Sequence, residues 1–91
     1  TTWVDGEVYD FDPIWPCEIE PWAYCAGVDL SGRDLSGMDL TGVDLRGANL
    51  TGANLTGVDL TNANVSSAIF TNTVWNQTVW TDGVAYNTNQ G

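Results

Sequence analysis

The sequence predicts an all-β solenoid in which a five-residue unit repeats along most of the chain. From residue 28, the 91-residue chain divides into twelve consecutive pentapeptides that begin VDLSG, RDLSG, MDLTG and VDLRG. A period of five matches neither the 3.6 residues of an α-helical turn nor the two-residue alternation of a β-strand. It matches a chain that turns a corner every five residues, so we expect stacked, very short strands.

Position within the unit predicts which side chains point inward. The centre is Leu in seven consecutive units, followed by other apolar residues, and a small or apolar residue usually stands two positions earlier. Asp or Asn lies between these two, and Ser or Thr and then Gly come after the centre. The predicted core comprises the central residues Leu30, Leu35, Leu40, Leu45, Leu50, Leu55, Leu60, Val65, Phe70, Trp75 and Trp80.

This pattern resembles the A-[DN]-L-x-x motif of the pentapeptide repeat family. The resemblance implies a right-handed quadrilateral β-helix with four pentapeptides per coil and about three coils, formed by residues 26–87. Residues twenty apart then lie above one another at a strand spacing of about 4.8 Å, and the fourth inner column is Leu45, Val65 and Ala85. Residues 1–25 form an acidic, aromatic arm and cap, and residues 88–91 form a tail.

The charge balance excludes several classes of partner. The chain has twelve acidic residues and only two basic residues, Arg33 and Arg46, so its formal net charge is −10. Such a surface repels nucleic acid and anionic lipid, and no apolar run predicts membrane insertion. Arg33 stands at an inward position, so we expect it to bend outward and pair with the acidic N-terminal segment.

Cys17 and Cys25 are the only cysteines, and no His is present to complete a zinc site with them. A disulfide within the chain is the favoured interpretation, while a bond between subunits and free thiols remain alternatives. A disulfide indicates an extracellular or cell-surface location. Without a signal peptide, and with Thr1 in place of Met, the sequence is expected to be the processed form.

The residues provide no catalytic machinery, so we predict neither an enzyme nor a cofactor. The Asp side chains are expected on a convex wall, without His or Lys beside them. Calcium between Asp39 and Asp59 is disfavoured because no D-x-D-x-D-G loop is present. Four sequons are candidate sites for covalent N-linked glycans, at Asn49, Asn54, Asn64 and Asn76. Three of them arise automatically because the repeat places Asn two positions before Ser or Thr.

The two ends of the repeat carry the functional prediction. In the last four units the outward Asp or Asn becomes apolar, which predicts a contact surface at a strand edge: Ile69, Val74, Val79 and Val84. The N-terminal segment offers a complementary apolar set: Trp3, Val4, Val8, Tyr9, Phe11, Ile14 and Trp15. Residues 7–12 have a strand-like sequence. We predict that the region from Cys17 to Cys25 caps its own helix while residues 1–15 add β-structure to a neighbour.

The resulting hypothesis is a secreted structural protein that binds further copies of itself head to tail in an extracellular filament. One alternative is an acidic DNA mimic that inhibits a topoisomerase, as some members of the pentapeptide repeat family do. Three coils span only about 15 Å, which disfavours that alternative. A monomeric, secreted binding or adhesion module is the other alternative.

Overall fold

The computed structural model describes residues 17–91, in which parallel β-bridges join residues twenty positions apart. The bridges form four ladders: Tyr24, Asp44 and Asn64 in the first; Asp29, Asn49 and Ile69 in the second; Asp34, Asn54 and Val74 in the third; Asp39, Asp59 and Val79 in the fourth. The predicted twenty-residue stacking of the outward positions is confirmed at seven of these eight pairs; the eighth, Tyr24 with Asp44, starts before the predicted range. We call residues 23–42, 43–62 and 63–82 the first, second and third layers.

Backbone hydrogen bonds repeat with the same period. The Asn49 N–H donates to the Val28 carbonyl at 2.8 Å, and the Asn49 carbonyl accepts from the Leu30 N–H at 2.7 Å. At the corners, the Gly32 N–H donates to the Thr51 carbonyl at 2.8 Å. Each pentapeptide therefore satisfies its polar backbone through the layers before and after it, which leaves the end layers with open edges.

The core follows the repeat. The central residues Leu30, Leu35, Leu40, Leu45, Leu50, Leu55 and Leu60 are all at most 1% exposed, and the smaller inward residues Val43, Ala48, Ala53 and Val58 are buried beside them. Phe70 and Trp75 are also buried, whereas Val65 and Trp80 are half-buried and pack against this core. Burying each leucine contributes about 1.5–3 kcal/mol, so the repetition supplies the stability that a small chain needs.

The turns between pentapeptides explain why the repeat has Asp, then Ser or Thr, and then Gly at fixed positions. Asp29 accepts hydrogen bonds from the Ser31 N–H at 3.0 Å and the Ser31 hydroxyl at 2.6 Å, which closes a local turn. The next residue adopts a positive φ, and this position is Gly in the early units. In the third layer the same conformation is held by Ser67, Asn72 and Gln77, with φ between 55° and 61°.

The ladders begin before the predicted start at residue 26. Tyr24 forms a parallel bridge with Asp44, and Cys25 occupies the inward central position with no exposed surface. The sequence AYCAG is therefore the first unit of the first layer. Tyr24 and Cys25 replace the Asp and Leu of the repeat, so the sequence pattern did not predict this unit.

The last predicted unit does not continue the ladders. Strand β1 (Thr78–Val79) pairs antiparallel with strand β2 (Ala85–Tyr86), with Val79 opposite Ala85. The predicted inner column of Leu45, Val65 and Ala85 is therefore wrong at Ala85, which is exposed. The chain reverses because the Gly83 N–H donates to the Trp80 carbonyl at 2.9 Å, with Gly83 at a φ of 79°.

Candidate self-association surface

The third layer presents an open backbone rim. In the second layer, the Leu50 N–H donates to the Ile69 carbonyl at 2.8 Å, as the repeat requires. The corresponding N–H groups of the third layer belong to Val65, Phe70 and Trp75, and within residues 17–91 none of them has an acceptor. Unpaired strand edges are templates for pairing with another strand. Three of the four ladders thus end in a surface that can accept one.

Two of these open edges carry exposed aliphatic side chains. Ile69 on the second ladder is 45% exposed, and Val74 on the third ladder is 52% exposed. The predicted acceptor set is corrected at the other two positions. Val79 is half-buried and its edge is occupied by β2, while Val84 lies in the hairpin and not on the first ladder. The apolar part of the rim is therefore confined to two adjacent sides.

An aromatic cluster closes the interior behind this rim. The Phe70 and Trp75 ring centroids are 6.3 Å apart, and Trp80 lies 5.3 Å from each. The Trp75 indole N–H donates to the Thr73 hydroxyl at 2.7 Å, so this partly buried polar group is satisfied. These three rings therefore pack together behind the N–H groups of Val65, Phe70 and Trp75, which are unpaired in the described chain.

At the opposite end, the predicted disulfide within the chain is confirmed. Cys17 and Cys25 are joined with their Cα atoms 5.6 Å apart. Because Cys25 is an inward residue of the first layer, the bond holds Cys17 and the neighbouring Ile19 against the core. The segment that precedes the first layer is thereby anchored covalently. The local cap predicted for the region from Cys17 to Cys25 stays a prediction beyond this disulfide.

The rim of the first layer also carries backbone N–H groups that are unpaired within residues 17–91. The N–H groups of Asp29, Asp34 and Asp39 point away from the second layer and have no acceptor in the described part of the chain. Their side chains are polar, in contrast to Ile69 and Val74. The two ends of the molecule therefore present unlike surfaces, as a head-to-tail contact requires.

The outward carboxylates are engaged in the corners. Hydrogen bonds from the Thr41 hydroxyl and N–H lower the pKa of Asp39, and Ser31 has the same effect on the pKa of Asp29. Asp39 forms a β-bridge with Asp59, and Asp59 accepts hydrogen bonds from the Thr61 N–H and hydroxyl. These Asp side chains serve as turn acceptors.

The two arginines differ in exposure: Arg46 is exposed and Arg33 is half-buried. Arg46 donates from Nε and Nη2 to the Asp44 carboxylate at 2.9 and 2.8 Å, and its side-chain hydrogen bond lowers the pKa of Asp44. Arg33 is half-buried, and its charge contributes a minor lowering of the pKa of Asp29. The acidic segment predicted to receive Arg33 lies largely outside the described residues. Across residues 17–91, no cluster of three or more potential metal ligands occurs.

The remaining predicted sites fall into two groups. Asn49 and Asn54 are half-buried, with their side-chain oxygens accepting from Thr51 and Thr56, whereas Asn64 and Asn76 are exposed. The arm residues and the predicted 7–12 strand lie outside the described residues.

No helix within the described range is both long and apolar enough to cross a membrane.

The comparison with protein families agrees with the repeat. The family model for pentapeptide repeats matches residues 23–62 in eight copies, starting at the unit that contains Tyr24 and Cys25. No curated protein matches the chain in sequence. Among solved structures, the chain is similar to HetL, a pentapeptide repeat protein involved in heterocyst differentiation regulation from the cyanobacterium Nostoc sp. strain PCC 7120. The identity is 21% and the TM-score is 0.35, with 69% of this chain and 40% of HetL covered.

Proposed function

We propose that this chain is a secreted structural protein that polymerises end to end. Its residues 23–62 belong to the pentapeptide repeat family, and its fold is a right-handed β-helix. We infer that the four ladders close as a quadrilateral helix of three coils. The observation that carries the proposal is the open rim of the third layer, flanked by Ile69 and Val74. The proposal assigns no catalytic reaction and no cofactor to the chain.

The change in side-chain character at the rim supports a contact. Along the second and third ladders, the outward residues are Asp29 then Asn49, and Asp34 then Asn54, before they become Ile69 and Val74. A rim that stayed in water would gain solubility from Asp or Asn at those two positions. Natural proteins usually protect sheet edges with charge, proline or a covering segment, and β2 protects only the fourth ladder.

The occupant that we propose is the N-terminal arm of a neighbouring copy, residues 1–15. The arm adjoins Cys17, which is anchored at the first-layer end, so in a head-to-tail arrangement a neighbour's arm starts beside the open rim. Its sequence provides apolar side chains for the Ile69 and Val74 sides, and strand addition supplies main-chain hydrogen bonds. Such a contact joins unlike surfaces and propagates into a filament unless it closes into a ring.

The disulfide supports the extracellular part of the proposal, since such bonds persist mainly in oxidising compartments. At neutral pH the outward Asp residues with lowered pKa values are ionised acceptors, which suits a structural wall rather than general acid catalysis. Thiol labelling of protein isolated under native conditions tests the first point. Free thiols at Cys17 and Cys25 would contradict secretion into an oxidising compartment.

Electron microscopy of the purified protein tests polymerisation, with Val74→Asn as the informative variant. This change restores the polar residue type of Asn54 on the same ladder, and losing the burial of one Val weakens each contact by about tenfold. Val84→Asn is the matched control, because Val84 is 51% exposed but lies in the hairpin. We expect filaments from the unmodified and Val84→Asn chains and far fewer from Val74→Asn. Particles of monomer size alone, at every protein and salt concentration, would overturn the proposal.

A further inference from the structure

Residues 87–91, which we call the strap, lie across the end face of the third layer. The Gln77 N–H, an edge donor at the corner before the fourth ladder, donates to the Asn87 side-chain oxygen at 2.8 Å. The Asn89 side-chain amide donates to the Phe70 carbonyl at 2.6 Å. Gly91 lies directly against the Phe70 ring, because a β-carbon at Gly91 would collide with it. The strap therefore extends from the fourth-ladder side to the second ladder.

The hold on the strap is weak. All five of its residues are exposed, and no backbone-to-backbone hydrogen bond joins them to the rest of residues 17–91. Its other hydrogen bonds are internal, such as those from the Gln90 amide to Thr88 and from the Gly91 N–H to Asn89. By contrast, β2 is paired with β1 through the main chain and follows the edge of the fourth ladder.

We infer that the strap is a displaceable, self-inhibitory cover over the acceptor rim; this inference rests on the proposed function. A strand that adds along the second and third ladders must pass Phe70, where Asn89 and Gly91 are docked. Strand addition at this corner therefore requires the strap to leave. Because side chains make both of its anchoring hydrogen bonds, the cover opens without breaking any main-chain pairing.

The Asn89→Ala variant of the full chain tests the inference. Loss of one hydrogen bond should increase the open population of the strap about fivefold. In dilute monomer, the Gln77 amide should then exchange with solvent about fivefold faster, since its acceptor Asn87 is carried by the same segment. Filament growth should start at an approximately fivefold lower concentration. Gln90→Ala is the control, because its side chain bonds only to Thr88, and it should change neither quantity.

The outcomes separate this inference from polymerisation itself. Faster exchange at Gln77 with unchanged or slower filament growth would overturn the inhibitory role while leaving the proposed function intact. If the unmodified chain forms no filaments, a synthetic peptide of residues 1–15 serves as the probe on the monomer. Binding that is about fivefold tighter to Asn89→Ala supports the strap, whereas equal affinity or absence of binding overturns it.

Discussion

A pair of glycine substitutions tests the corner geometry on which the fold depends. Gly52 adopts a φ of 72°, and a β-carbon placed there would meet nothing closer than Gly32 atoms at 4.0 Å. Gly52→Ala therefore measures the conformational penalty alone, without a steric collision. A left-handed backbone costs an L-residue about 1–2 kcal/mol, so the free energy of unfolding should fall by that amount.

Gly42 provides the matched comparison. Its φ of 69° is nearly the same, but an added β-carbon would collide with the Trp22 ring, which lies on this corner. Trp22 is 70% exposed, so the ring can swing into water at the cost of its remaining contacts. About 75 Å² of lost contact at 25 cal/mol per Å² corresponds to roughly 1–2 kcal/mol, in addition to the backbone penalty. Gly42→Ala should thus be about twice as destabilising as Gly52→Ala.

Urea unfolding followed by far-ultraviolet circular dichroism measures both effects, with Trp22→Ala as the second background. Without the Trp22 ring, Gly42→Ala should cost the same as Gly52→Ala, because only the backbone term remains. A Gly52→Ala chain as stable as the original would refute the left-handed corner. An unchanged cost of Gly42→Ala in the Trp22→Ala background would refute the contact of Trp22 with that corner.

Three further predictions concern stability. Ser67→Gly should raise the free energy of unfolding by about 1 kcal/mol, because Ser67 holds a φ of 61°; a lower urea midpoint would contradict this. Reduction of the Cys17–Cys25 bond should lower it by about 2.5 kcal/mol, from the entropy of a closed loop with a separation of eight residues, and an unchanged midpoint in reductant would show that the cap is not coupled to folding. Because the folded-state pKa of Asp39 is lowered, its stabilisation is complete above the unfolded pKa near 4 and is lost as pH falls through the folded value. An NMR titration with an Asp39 midpoint at or above 4 would contradict this.

Much of the ladder was predictable because the repeat combines a local period with a chemical reason for each position. Leu50 and Asn49 show the logic: one side chain is buried, and the other accepts the turn hydrogen bonds from Thr51. The first unit was missed because Tyr24 and Cys25 replace Asp and Leu; the backbone pairing of Tyr24 with Asp44 and the family model both include it.

The hairpin at the end of the ladders had a signal that the repeat obscured. Asp82 and Gly83 form the dipeptide that most strongly favours a hairpin between β-branched residues. The five-residue period predicted Ala85 in an inner column. The turn prevails over this period because no further layer follows Trp80 for Ala85 to pack against. The Asp82 carboxylate then stabilises the reversal by accepting from the Val84 N–H at 2.9 Å and the Tyr86 hydroxyl at 2.7 Å.

The hairpin also constrains how two copies can meet. If one β-helix simply continued into the next, the first-layer Asp39 of the next copy would occupy the edge beyond Val79, but β2 already occupies it. Direct continuation of all four ladders is therefore blocked unless β2 separates from β1. Strand addition at the Ile69 and Val74 sides needs no such separation, because only the weakly held strap lies there. The covalent cap at the first layer and the reversible cover at the third layer thus favour an arm-to-rim contact over coaxial stacking.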